Sequence, residues 1–171
     1  MRLSSILMIL LLSAALFAAD VDFTGTWKFN EEKSELPEFG GPGGPGGGGP
    51  RPGAFVAPLM VVTKAENGLT VERTMTGRDG EERKMTSVYD LTGKTTKEEG
   101  RRGGVTEHTA KMEDAALKVN SVRVMERDGQ EFKMVTNATW TLVDEGKGLL
   151  IESVSETPMG ERKMKTYYDK Q

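Results

Sequence analysis

A chain of 171 residues, 36% hydrophobic and 29% charged, has room for one domain with a substantial core and not for two large ones. Its formal charge of −3 at pH 7 argues against a nucleic-acid module, which would show a concentrated basic face. Cysteine is absent, which excludes disulfides, thiol catalysis, zinc–thiolate sites and a lipidated N-terminal cysteine, and the single histidine, His108, excludes a multi-histidine metal centre.

The first element is a leader. Arg2 precedes an uncharged run through Leu3, Ile6, Ile9 and Leu12, which closes on small residues before Asp20. A basic start, a short apolar stretch and a small-residue end describe a secretory signal peptide over residues 1–19, cleaved after Ala18 or Ala19. An uncleaved anchor is the alternative, but the apolar run is at the short limit for crossing a bilayer. The reading places residues 20–171 as one exported domain, periplasmic or extracellular, with no stable membrane insertion after cleavage.

Phe23–Asn30 alternates. Phe23, Gly25, Trp27 and Phe29 share one face, and Thr24, Thr26, Lys28 and Asn30 the other, as in a strand between core and water. Gly25, two residues before the tryptophan, allows another part of the chain to pass close to the backbone. Glu31–Leu36 reads as one short helical turn. Residues 37–58 then hold six of the seven prolines and a run of glycines, a composition that should form a loop and not join a sheet. Leu36, Phe39 and Phe55 would be its apolar tips if the loop served as a lid over a barrel mouth.

From Leu59 onward strands and turns follow one another without helical periodicity. Three hairpins are alike, turning at Gly77–Gly80, Arg127–Gly129 and Pro158–Gly160. Each turn ends in glycine, and two contain Asp-Gly, which tolerates the positive φ of tight turns. Each return strand then carries Lys-Met, at Lys84-Met85, Lys133-Met134 and Lys163-Met164, so the three share one inside–outside phase. Shorter strands near Lys94–Glu98 and Val105–Glu113 lie between them. The expected fold is all-β, an antiparallel up-and-down barrel of about 8–10 strands, with a sandwich as the competing architecture.

The phase predicts the interior. Met85 shares a face with Arg83, Ser87, Tyr89 and Leu91, Met134 with Phe132, Thr136, Ala138 and Trp140, and Met164 with Thr166 and Tyr168. Leu69, Val71, Arg73 and Met75 face inward on an outgoing strand, as do Leu149, Ile151, Ser153 and Ser155. Strand Leu117–Glu126 changes parity between Val119 and Val122, which predicts a bulge near Asn120–Ser121.

Thr24-Gly25-Thr26-Trp27-Lys28, followed by about nine strands, resembles the Gly-X-Trp opening of the calycins, the lipocalin and fatty-acid-binding-protein barrels. With Lys33-Ser34 after it, the segment is closer still to bacterial secreted lipocalin-like proteins of uncharacterised function. The resemblance implies that Trp27 closes one end of the barrel under a basic residue of the last strand, for which Lys163 or Lys165 is expected. It also implies an Arg-X-Tyr carboxylate clamp on that strand, yet the chain has Thr166 where the arginine should stand and keeps only Tyr168. Arg73 or Arg123 is the substitute.

Enzymatic chemistry finds no constellation in the sequence. His108 points inward by parity; a lone inward histidine is a packing residue far more often than a haem ligand, and it is read as one. The methionines are dispersed at hairpin positions and not clustered for Cu(I), so they read as core filling. The Glu81–Lys84 and Lys94–Arg102 charge runs read as solvated faces, and Asn137-Ala-Thr139 is a glycosylation sequon only in a eukaryotic secretory route. The reading is therefore a non-enzymatic exported protein without cofactor or metal, holding a small, largely apolar ligand. Its lining is expected from Arg73, Met85, Tyr89, Met134, Trp140, Met164 and Tyr168, with Gly25 and Trp27 structural. The alternative is a structural or protein-interaction domain with a filled barrel.

Overall fold

The computed structural model describes residues 21–37, 56–77, 80–100, 104–127, 129–157 and 160–171. The expected leader, Phe39, Phe55 and most of the glycine–proline segment lie outside the described residues. Among the described residues ten strands follow in chain order: β1 (Gly25–Glu35), β2 (Leu59–Ala65), β3 (Gly68–Thr76), β4 (Glu82–Asp90), β5 (Thr96–Glu99), β6 (Val105–Glu113), β7 (Ala116–Arg127), β8 (Gln130–Val143), β9 (Gly148–Thr157) and β10 (Gly160–Lys170).

They form one sheet in the order β4-β3-β2-β1-β10-β9-β8-β7-β6-β5. Neighbours in this order pair antiparallel, and β1 meets β10, so the sheet curls into a nearly closed up-and-down barrel. The sandwich is thereby excluded. The seam lies between β4 and β5, where no backbone ladder forms among the described residues; side chains cross it instead. Tight turns make the hairpins possible: Gly80, Gly129 and Gly160 all have positive φ, at 80°, 75° and 108°.

Two local expectations fail. Glu31–Leu36 is not helical: β1 runs on to Glu35 through a bulge, with Asn30 opposite Tyr167 and Glu35 opposite Lys165. Side chains replace the interrupted ladder. Ser34 Oγ donates to the Asn30 carbonyl at 2.6 Å and accepts from the Tyr167 N–H at 2.9 Å. The second failure is the bulge in β7. Leu117 through Arg127 pairs with Trp140 back to Gln130 without a slip. Odd-numbered residues from Leu117 to Met125 therefore face inward, Val122 and Val124 face out, and Val124 is 36% exposed. The apparent change of phase arises because polar residues, Ser121 and Arg123, occupy the inside.

The core fills one end of the barrel. Phe23, Trp27, Met60, Leu117, Trp140 and Leu149 are all but fully buried, with Val62, Val71, Tyr89 and Tyr168 around them. Phe23 and Tyr89 each meet Trp140 edge-on, at ring-centroid distances of 6.5 and 5.8 Å. Val56, Ala57 and the partly buried Leu36 belong to this packed end as well. Leu36, expected as the tip of a lid, thus packs against the core.

Trp27 sits at the closed end with 0% exposure, and its indole N–H donates to the Phe23 carbonyl at 3.0 Å. The cation over its ring is Lys170, with Nζ 5.2 Å from the centroid. Lys163 and Lys165 point outward to Glu161, and to Glu35 and Glu152, so neither caps the tryptophan as expected. Register decides this: Trp27 pairs with Lys170, whereas Lys165 lies beyond the bulge, opposite Glu35. Gly25 makes the approach possible, because a Cβ there would lie 2.8 Å from Lys170 Cε.

Candidate ligand cavity

Above the packed end the inner face turns polar. β3 contributes Arg73, β4 Met85, Ser87 and Tyr89, and β5 Glu98; β6 adds Thr106 and His108, β7 Ser121 and Arg123, and β8 Met134 and Thr136. Together they line a cavity of about 340 Å³. Each points inward for the same reason: side chains alternate along every strand, and the ladders put the inward rows beside one another. Arg73 lies opposite Met85, His108 opposite Ser121, and Arg123 opposite Met134.

A hydrogen-bonded chain runs across five strands. Arg73 donates from Nη1 to Ser87 Oγ at 3.0 Å and from Nη2 to the Tyr89 hydroxyl at 2.8 Å. Ser87 donates to Glu98 Oε2 at 2.5 Å, across the seam. The same oxygen is 3.2 Å from His108 Nε2, while His108 Nδ1 is 2.8 Å from Ser121 Oγ. Thr96 adds a second seam contact, donating its hydroxyl to the Val88 carbonyl. Side chains thus take over where the ladder is missing.

The hydrogen bond from His108 holds the Glu98 carboxyl below its ordinary range, aided by Ser87 and opposed by burial. Burial pushes the Tyr168 phenol up to about 12, while the positive charge of Arg73 pulls it back. The Arg73 guanidinium also lies 5.8 Å from the Trp140 ring and 5.9 Å from the Tyr89 ring, so it forms the boundary between polar cavity and aromatic core.

The structure gathers four of the seven expected lining residues, Arg73, Met85, Tyr89 and Met134, on the cavity wall. Met85 is also 41% exposed, which places it at the rim. Trp140 and Tyr168 belong to the core beneath, and Met164 is partly buried against that core. Tyr168 packs edge-on against Phe29 at 5.7 Å. Thr166 is buried and offers no cation at the clamp position on β10.

Glu98 and Ser121 line the cavity although the sequence does not place them inward; Ser87, inward by its phase with Met85, also lines it without being among the expected lining residues. Glu98 sits in what reads as a solvated charge run, yet its side chain is only 16% exposed. A signal exists in the shared parity of Thr96 and Glu98 on a short strand, but four residues are too few to show a period. His108 does point inward, and both of its ring nitrogens are already engaged by side chains. No cluster of three metal-ligating side chains occurs among the described residues.

A second cleft, of about 370 Å³, runs along β6–β8. Its polar groups satisfy one another: Asn120 donates to Asn137 at 2.8 Å and Lys118 to Thr139 at 3.1 Å. Larger in volume, it lacks the convergent, unsatisfied chemistry of the inner cavity.

No protein-family pattern and no curated protein matches the sequence. Among solved structures the chain is similar to a zebrafish ileal bile acid-binding protein complexed with cholic acid. The two align with a TM-score of 0.53 and 14% identity, over 87% of this chain and 98% of that one. The likeness carries the fold: an all-β, ten-stranded, nearly closed calycin-like barrel.

Proposed function

We propose that this chain is an exported, non-enzymatic binding protein that holds one small ligand inside its barrel. The observation that carries the reading is the inner cavity of about 340 Å³, left open where the rest of the interior is packed. Its volume falls at the lower end of ligand sites, which span roughly 300–1,000 Å³. Met85, Met134 and the Tyr89 ring offer apolar contact, while the remaining wall is polar. The ligand is therefore amphipathic, and less uniformly apolar than the sequence suggests. A neighbour of the same fold complexed with cholic acid supports a ligand inside such a barrel. Export rests on the leader over residues 1–19.

The rival, a filled barrel acting through its surface, draws on the packed lower half but leaves the open upper half without a role. Native mass spectrometry of protein purified from its own host is the test. A co-purifying small molecule, released on denaturation, is the expected result. A bare protein whose tryptophan fluorescence is unmoved by amphipathic probes would leave the rival standing.

A further inference from the structure

We infer that Ser121, on β7, is a nucleophile primed by His108 and Glu98, which takes an acyl group from an activated ester and keeps it. The inference goes beyond the binding reading and shares only its cavity. Ser121, His108 and Glu98 all line that chamber. They stand in hydrogen-bonded sequence, with Ser121 Oγ 2.8 Å from His108 Nδ1 and His108 Nε2 3.2 Å from Glu98 Oε2.

Chemistry fixes the direction of each proton in the series. The Glu98 carboxyl, held low by its hydrogen bond with His108, is a carboxylate at neutral pH and can only accept. His108 Nε2 therefore carries the hydrogen, and in the neutral imidazole Nδ1 is bare. A bare nitrogen 2.8 Å from a hydroxyl accepts from it, so the Ser121 O–H points at a base. A hydroxyl on a base, with the base held by a carboxylate, is the arrangement that activates a serine. Holding strands together does not account for it. Unbroken ladders already join β5 to β6 and β6 to β7, so neither bond of His108 is needed there.

The backbone decides which acyl donors suit the site. Ser121 pairs with His108 on one side and Thr136 on the other, so its own N–H is spent in a ladder and offers no oxyanion hole. One such donor is worth roughly 10²–10³ in rate, so amides and alkyl esters fall outside its reach. Esters and thioesters with a good leaving group, a phenol or a thiol, are the class it takes. In the step, Ser121 Oγ bonds to the acyl carbon as its proton passes to His108 Nδ1. The bond from that carbon to the leaving oxygen or sulfur breaks, and the leaving group takes the proton from His108. The product is itself an alkyl ester, so water releases it slowly and the acyl group stays.

Incubation of the intact protein with para-nitrophenyl butyrate tests the inference. The expected result is a burst of one nitrophenolate per chain and a butyryl group mapped to Ser121 by peptide mass spectrometry. Urea-unfolded protein and Ser121→Ala should show neither. His108→Gln should slow labelling at least roughly a hundredfold. Glu98 is a positioning residue, and the pH dependence of labelling reads its role. His108 faces Glu98 from β5, Ser121 from β7 and the Tyr89 ring from β4 at 5.3 Å, with Arg73 and Arg123 on the same wall. Labelling should fall in acid as His108 takes a proton, and Glu98→Gln should move that limb to lower pH, because the imidazolium loses its carboxylate. The map on the unaltered protein needs no variant, so a folding defect in one of them does not decide the outcome. A butyryl group only on other residues, release that continues past one equivalent, a rate unchanged in Ser121→Ala or an acid limb unmoved in Glu98→Gln would overturn the inference. The binding reading is judged separately, by the small molecule that co-purifies without a bond to the chain.

Discussion

Trp27 shows how one residue can organise a barrel end. Its ring is buried, its N–H is satisfied by Phe23, and the Lys170 ammonium covers its face. Trp27→Ala is expected to cost about 3–5 kcal/mol in denaturant unfolding, as a fully buried aromatic truncation; a loss below about 1 kcal/mol would refute the plug role. Gly25 belongs to the same device. With φ at 140° and Lys170 Cε where a Cβ would be, Gly25→Ala should destabilise by about 1–3 kcal/mol. Removing the obstructing side chain as well, in Gly25→Ala with Lys170→Ala, should cost less than the sum of the two single changes. The tryptophan and the glycine are readable in the sequence because an alternating strand exposes its own phase. The identity of the lysine is not, because it depends on a register between the first and last strands of the chain.

At the scale of elements, side-chain donors and acceptors bridge the seam between β4 and β5, where no backbone ladder forms among the described residues. Glu98 is central to it, accepting from Ser87 and meeting His108. Its folded-state pKa is depressed, so its contribution to stability is present above the unfolded value and is lost as pH falls through the folded value. Stability should therefore fall from about pH 4.3, the ordinary glutamate value, downward. Asp22, Asp90 and Asp169 are also held low by their hydrogen bonds and contribute to the same acid limb. Glu98→Gln separates the contributions. It should lower stability at pH 7 by about 1–3 kcal/mol and flatten the acid limb, as measured by urea midpoints from acid to neutral pH. An acid limb as steep as that of the wild type would show that the seam does not depend on the carboxylate. Strand β7 carries a related lesson. Its inward face is hidden in the sequence because the usual inference equates apolar with inward, and here the inward row holds Ser121 and Arg123 while Val122 and Val124 face out. A local signal cannot recognise an interior built to be polar, and Glu98 is hidden for the same reason.

For the molecule as a whole, an apolar floor and a polar chamber divide the barrel. The floor supplies the stability, so the chamber can keep polar groups and open volume that a fully packed interior would not tolerate. A ligand that occupies the chamber should stabilise the folded state by about 2.7 kcal/mol at roughly a hundredfold excess over its Kd. That appears as a higher melting temperature in the presence of a bound amphipathic ligand than in its absence.

Strand count, hairpin turns, the shared phase of the three Lys-Met returns and the Gly-Thr-Trp opening were determined by the sequence alone. All of these rest on a period of two and on turn chemistry, which act over a few residues. Only the tertiary structure decided that Lys170 covers Trp27 and that β1 bulges where Ser34 bridges Asn30 and Tyr167. It alone decided that Glu98 bridges an unladdered seam and that Arg123, on the chamber wall, keeps a buried Nε without an acceptor. Those outcomes depend on which strands become neighbours when the sheet closes, and on registers set by packing across the whole chain, so no local pattern could contain them.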